Sequence, residues 1–440
     1  MNNHDGHGQL VSSGSRQLAR SAGPNALVSR GLADLAATTS PKTPLGLEAA
    51  VACYNRGVDL WEKDCLQEAV SQFDEAVRIL DDVITHDPEN SPAHLYRGKA
   101  CVRNWHPLSN TKHDRSEADE RCSRALRDFD EAIRLDPRNP LLYVERGLAW
   151  MDKEYAYWEP DHWGDNYDST EDNENAIKDF DHAIRLNPAL ASAFYERSFA
   201  WARRSSWDPA RHNQLKDLDE AIRLEPKNAK LHKIRGDVWY RAKDFDKAII
   251  DFDEVIRLDP SFATAFVARG RAWKSKGDFD RAAQDFDEWI RFNPECAGAY
   301  SDRCSLWLRK KDYARLIADY EHTIRLELGN AFYYHRLAEL LATCPNDEVR
   351  DGNRAIQLAT KAFELTEKTR QPSDFAFSRD LATLAAAYAE VGQFDEAQRY
   401  QVKALEYLSR EDPPTTMHRQ NELRRCLDLY QQKKPLRGRP

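Results

Sequence analysis

Glycine is scarce in this chain, at 18 of 440 residues, and no turn-rich series of short alternating strands appears. That argues against a sandwich or barrel of β-strands. No apolar run approaches the ~18–20 residues that a membrane-spanning helix needs. The first residues, MNNHDGHGQLVSSGSRQLARSAG, have no apolar core segment, so they do not read as a secretory leader. They contain Ser and Arg and few acids, and a disordered tail is preferred to a transit segment. Eight cysteines are scattered with no C-x-x-C pair, which points to reduced, mostly buried thiols in a cytoplasmic setting. No G-x-x-x-x-G-K-[ST], G-x-G-x-x-G, H-E-x-x-H or G-x-S-x-G occurs. The 13 histidines form no zinc-type spacing with cysteine. No catalytic residues, no metal and no cofactor are therefore expected.

What the chain has is one recurring phrase. Its clearest copy is DFDEAIRLDP, Asp128 to Pro137. Variants start at Gln72, Asp179, Asp217, Asp251, Asp285 and Asp319, and the last four starts are each 34 residues apart. A fixed period of this length marks a helical repeat array. In Ala229–Phe262, His232, Gly236 and Trp239 recur at i, i+4, i+7 on a first helix. Ala248, Phe252 and Val255 do the same on a second, giving each helix one apolar stripe. Lys243–Asp244 is the expected turn between the helices, and Pro260 closes the second one.

These residues resemble the tetratricopeptide repeat (TPR). Gly236, Ala248 and Pro260, then Gly270, Ala282 and Pro294, stand at that family's small, small and proline positions in consecutive copies. The resemblance covers roughly residues 50–411 and implies an all-α, right-handed α-solenoid of about nine helix-turn-helix units. The units begin near Ala50, Ser91, Pro140, Ala191, Ala229, Ala263, Ala297, Ala331 and Ser378. The last two look like the terminal module of planctomycete-type TPR proteins. Expected boundaries are a disordered tail over 1–45, an array over 46–411 with inserted loops at 102–124 and 152–175, a capping helix over 412–432, and a basic tail over 433–440. The cap would use Leu423, Cys426, Leu427 and Tyr430 to cover the last open face. The first unit should have a second helix about two turns longer than usual.

Two regularities recur within the units. Trp150, Trp201, Trp239, Trp273 and Trp307 share one first-helix position, which reads as core packing rather than a stacking platform. Arg56, Arg97, Arg146, Arg197, Arg235, Arg269 and Arg303 precede the small position. Asp128, Asp179, Asp217, Asp251, Asp285 and Asp319 stand on the second helices. A repeated half-buried Arg–Asp pair is expected between the helices of a unit.

Function is expected where the sequence varies. The resemblance implies that first helices line a concave groove, whose candidate residues are Leu95, Lys99, Leu141, Val144, Leu148, Tyr195, Phe199, Lys230, Lys233, Tyr240, Arg271 and Lys274. Val102, Met151, Asp237 and Val267 share that lining. This suggests a face that is apolar in units two to four and basic in five and six, suited to a peptide with an apolar stretch followed by acids. The carboxylate clamp of co-chaperone TPR proteins needs Lys, Asn, Asn, Lys and Arg in three successive units, and no three units match it. The loop 152–175 holds nine acids, one lysine and five aromatics. Its Trp158, Trp163 and Tyr167 are candidates for a partner-contacting flap; a calcium loop lacks its D-x-[DN]-x-[DN]-G. The net charge is −9; with +2 in residues 1–45 and +4 in residues 431–440, the body is near −15. That opposes nucleic-acid binding. The expected role is a non-enzymatic protein-interaction scaffold. The alternatives are a regulatory or substrate-recruiting subunit of an enzyme complex and, less favoured, an enzyme with a site in the inserted loops.

Overall fold

The computed structural model describes residues 45–103, 112–155, 170–204, 208–369, 373–410 and 413–438. They contain nineteen α-helices, one short 3₁₀ turn and no strand. The chain divides into two compact units, one ending at Val238 and one starting at Trp239. The first holds α1 (Leu45–Glu62), α2 (Leu66–His86), α3 (Ser91–Arg103), α4 (Lys112–Leu135), α5 (Pro140–Tyr155), α6 (Thr170–Leu186), α7 (Ala191–Arg204), α8 (Asp208–Leu224) and most of α9 (Ala229–Arg241). The second holds α10 (Phe245–Leu258), α11 (Ala263–Lys276), α12 (Phe279–Phe292), α13 (Ala297–Lys310), α14 (Tyr313–Leu326), α15 (Ala331–Thr343), α16 (Gly352–Glu367), α17 (Asp374–Glu390), α18 (Phe394–Leu408) and α19 (Pro413–Gln431). From α1 to α8 each helix packs on the next, as from α10 to α19, so each unit is a stack of helix pairs, an all-α solenoid.

The pairs are built from close approach. In α3, α5 and α11 the small position is Gly98, Gly147 and Gly270. A methyl group there would lie 2.9, 2.7 and 2.9 Å from the rings of Phe129, Phe180 and Phe286. All three phenylalanines are buried, and burying each stabilises by roughly 1.5–3 kcal/mol. In α7 the position is Ser198, and the partner phrase carries Leu218 instead of Phe; both are fully buried. Between the helices of a pair, Lys243, Gly277 and Lys311 take left-handed backbone (φ 63°, 84° and 57°). The next residues, Asp244, Asp278 and Asp312, cap the following helix through the backbone N–H groups of Lys247, Arg281 and Arg315.

The expected Arg–Asp pairs form within both units. Arg97 donates to Asp128 at 2.9 and 2.5 Å, and Arg146 to Asp179 at 2.9 and 2.6 Å. Arg197–Asp217, Arg269–Asp285 and Arg303–Asp319 repeat the fork. Each guanidinium also reaches back to the preceding pair. Arg97 Nη1 meets Asp81, and Arg146, Arg197, Arg235, Arg269 and Arg303 meet Asp130, Asp181, Asp219, Asp253 and Asp287. The two acids of the D-F-D phrase thus have separate tasks: the first holds its own pair together, and the second fastens the next pair. In the first pair Arg56 finds Gln72 instead.

The tryptophans pack as expected. Trp307 is 4% exposed and the other four are half-buried. Cations cover their outer faces, with Lys247 over Trp239, Arg281 over Trp273 and Arg315 over Trp307 at 4.2, 4.2 and 4.9 Å.

α2 has 21 residues against 14 for α10, which bears out the longer first unit. The helix α19, expected as a cap, buries Leu423, Cys426 and Tyr430, while Leu427 is half-buried. Beyond it, Leu436 packs on that cap cluster, Arg437 pairs with Glu390, and Gly438 N donates to Thr343 O at 2.8 Å. Helix occupies much of the expected loops: 102–103 lie in α3, 112–124 in α4, 152–155 in α5 and 170–175 in α6. Of the expected tail, 1–45, Leu45 already belongs to α1; residues 1–44 and the rest of those loops lie outside the described residues.

Candidate interaction face of the first helices

In the first unit α3 packs on α5 and α5 on α7, so the first helices of successive pairs share one face. Part of the expected lining is buried there. Leu95, Val144, Leu148, Met151 and Tyr195 are buried, four of them in the clusters formed with the second helices. A residue facing the neighbouring first helix is consumed by that contact. Lys99, 5% exposed, is also taken: its ammonium donates to Glu145 at 2.6 Å and lies 5.6 and 5.9 Å from the rings of Tyr54 and Tyr96. Burial works against its charge, but Glu145 outweighs that and raises its pKa. Leu141, Val102, Phe199, Lys230 and Lys233 remain half-buried.

In the second unit Tyr240 is half-buried, with its hydroxyl 3.4 Å from Ser275 Oγ. Val267 is buried. Arg271 is exposed and donates to Asp302 at 3.0 and 2.6 Å; Lys274 donates to Ser305 at 3.2 Å. In the first unit Lys233 pairs with Asp237 at 2.6 Å. The basic residues expected in units five and six therefore face acids of the protein, and the basic half of the gradient is largely neutralised. Trp158, Trp163 and Tyr167 lie outside the described residues.

Sequence reasoning missed a group of acids on this face. Glu145 and Asp152 stand about two turns apart on α5, and Glu196 sits on α7. Glu196 is 0% exposed, and neither carboxylate oxygen has a hydrogen-bond partner. Tyr195 Oη is buried and unpartnered as well. Burial pushes the Glu196 carboxyl well above the usual range; the charges of Asp152 and Glu145 add to that, while Lys230 and Arg203 oppose it. Burial also lifts Asp152 to about 6, against Arg103 and Arg203. Lys230, on α9, is lowered by burial; its ammonium lies 6.0 Å from the Tyr195 ring centre. Arg203 donates to the Met151 carbonyl at 2.6 Å. The signal was present: in VERG and YERS the acid stands immediately before the repeat arginine. No group of three or more metal-ligating side chains is assembled among the described residues.

A paired-helix repeat with a small-residue crossing and a proline-closed second helix defines a class of helical repeat protein. Residues 164–190, 215–261 and 251–300 match models of the tetratricopeptide repeat, so these segments are tetratricopeptide repeats. No curated protein matches it. Among solved structures it is similar to YrrB, described as a TPR protein with an unusual peptide-binding site, at 19% identity over 53% of this chain and 97% of that one (TM-score 0.36). It is also similar to yeast Tom70, at 14% identity over 88% and 96% (TM-score 0.37). A third is the C-terminal part of a TPR repeat-containing protein from Cytophaga hutchinsonii, at 15% identity over 57% and 93% (TM-score 0.46). Likeness this distant carries no function across. No described helix is long and apolar enough to cross a membrane.

Proposed function

We propose that this chain is a protein-interaction scaffold without catalytic activity of its own, acting in the cytoplasm and binding a protein or peptide on the groove face of its first helices. The observation that carries the reading is the contrast between faces. The second helices are held by the repeated Arg–Asp forks and buried phenylalanines. The first-helix face instead carries half-buried Leu141, Phe199 and Lys230 and exposed Arg271, together with the unpaired Glu196 carboxylate. A preformed face of this kind lowers the ordering cost of binding a flexible segment. The acidic body opposes a polyanionic partner such as nucleic acid. Recruitment of a substrate or regulation of an enzyme would use the same surface.

The test is affinity purification of the full chain from its native cell with mass spectrometry. Phe199→Ala/Lys230→Ala and Arg271→Glu/Lys274→Glu are compared with the second-helix control Arg257→Ala/Arg291→Ala. A specific protein lost with a first-helix variant and kept with the control supports the reading. Identical recovery with all variants overturns it.

A further inference from the structure

We propose that Glu196 is the floor of a pocket on the first-helix face of the first unit that receives an arginine side chain of the partner polypeptide. The inference rests on the interaction reading above and specifies the chemistry recognised. Glu196 is fully buried, with both oxygens unclaimed, and the neighbouring Tyr195 hydroxyl is unclaimed too. A buried polar group without a partner is costly, and two unclaimed carboxylate oxygens match the two parallel N–H groups of a guanidinium. The surrounding acids, Asp152 and Glu145, make the site more attractive to a cation, although Glu145 already holds Lys99. The Phe199 ring stands edge-on to Tyr195, with centroids 5.0 Å apart, and supplies the aromatic wall on which a guanidinium packs.

The protein's own cations do not fill the site. Lys230 is held over the Tyr195 ring rather than on Glu196, and its ammonium is weakened by burial. Arg203 is turned to the Met151 carbonyl. Asp152, Phe199 and Lys230 are half-buried, in contrast to the fully buried Glu196. Lys230, on its flexible stem, is the group that moves aside. In the unbound protein burial, followed by the charges of Asp152 and Glu145, strengthens the hold of the Glu196 carboxyl on its proton, while Lys230 and Arg203 oppose it. An incoming guanidinium displaces that proton to solvent, so binding tightens as pH rises.

The test uses a phage-displayed random dodecapeptide library selected on the purified full chain, then synthetic peptides measured by calorimetry. Selected peptides are expected to share an arginine. Replacing it by citrulline, or making Glu196→Gln, should weaken binding at least about tenfold, with little further loss when both are combined. Binding to the unaltered chain should tighten from pH 6 to pH 8, and binding to Glu196→Gln should not. Circular dichroism checks that the variant is folded; Asp152→Asn is the second variant and should weaken arginine peptides but not citrulline ones. Peptides without a basic residue, or equal affinity for Glu196→Gln, overturn the arginine pocket. If those peptides still lose affinity on Phe199→Ala, the interaction face stands without it. If no peptide is selected, or binding is indifferent to every first-helix variant, both readings fall.

Discussion

Removing Asp319 tests the device that repeats most often in this chain. Its carboxylate is 4% exposed and takes three donors: Arg303 Nε at 2.9 Å, Arg303 Nη2 at 2.6 Å and the buried Trp307 Nε1 at 2.8 Å. In Asp319→Ala the indole N–H loses its acceptor and the guanidinium keeps only Asp287. Breaking a buried ion pair by deleting one partner costs about 3–5 kcal/mol. The retained Asp287 contact and the 19% exposure of the Arg303 side chain place the loss at the low end, about 3 kcal/mol. Asp319→Asn keeps one acceptor oxygen and should cost about 1–2 kcal/mol. For a cooperative unit of this size, about 3 kcal/mol lowers the melting midpoint by roughly 6–12 °C. Repeat arrays open piecewise, so peptide-resolved hydrogen exchange is the sharper assay. Amides of α13 and α14 should exchange on the order of a hundredfold faster in the alanine variant, and those of α18 and α19 much less. Unchanged midpoint and exchange would show that the fork is ornamental, its desolvation cost cancelling its attraction.

Gly270→Ala places a methyl 2.9 Å from the Phe286 ring and 3.1 Å from Asp285 Cβ; it should cost about 1–3 kcal/mol in denaturant unfolding. Gly298→Ala, whose added methyl meets only ordinary contacts from 3.6 Å outwards, should be neutral or stabilising. The raised carboxyls of Glu196 and Asp152 give a pH prediction. A carboxyl that holds its proton more tightly when folded stabilises at low pH and loses that contribution as pH rises through its folded pKa. For Asp152 the loss spans about pH 4 to about 6, and for Glu196 it is displaced upward from the ordinary carboxylate range. Thermal midpoints of Glu196→Gln should therefore fall less than those of the unaltered chain as pH is raised from 5 to 8; parallel curves would refute the assignment.

The fold was legible because its rules repeat. A glycine opposite a phenylalanine, an arginine opposite an aspartate and a left-handed turn residue before an N-capping aspartate each recur at a fixed offset. Such offsets alone pair Arg269 with Asp285 and Arg303 with Asp319. The second aspartate of D-F-D was not legible, because its partner belongs to the next pair and its role appears only when pairs stack. The same physics explains why the face was harder to read. The resemblance to the repeat family assigns Val144 and Leu148 to the first-helix surface. It does not tell whether a residue there meets solvent or the neighbouring first helix, and these two meet the core. Likewise Arg271 and Lys274 read as basic until Asp302, an acid of the following pair, is placed against them.

The slot before the repeat arginine joins these two levels. The arginine is committed to the second helices, so the residue before it is rotated by one position toward the first-helix face. In unit two that residue is Tyr96, whose ring lies against Lys99. In unit three it is Glu145, neutralised by the same lysine. In the second unit Asp302 plays that part for Arg271. Among these, Glu196 has its carboxylate buried and unmatched. A structural role would demand a partner, and the neighbouring positions have one. A buried acid that the fold leaves unmatched, in a slot whose other acids are matched, is the position at which a bound partner has most to supply.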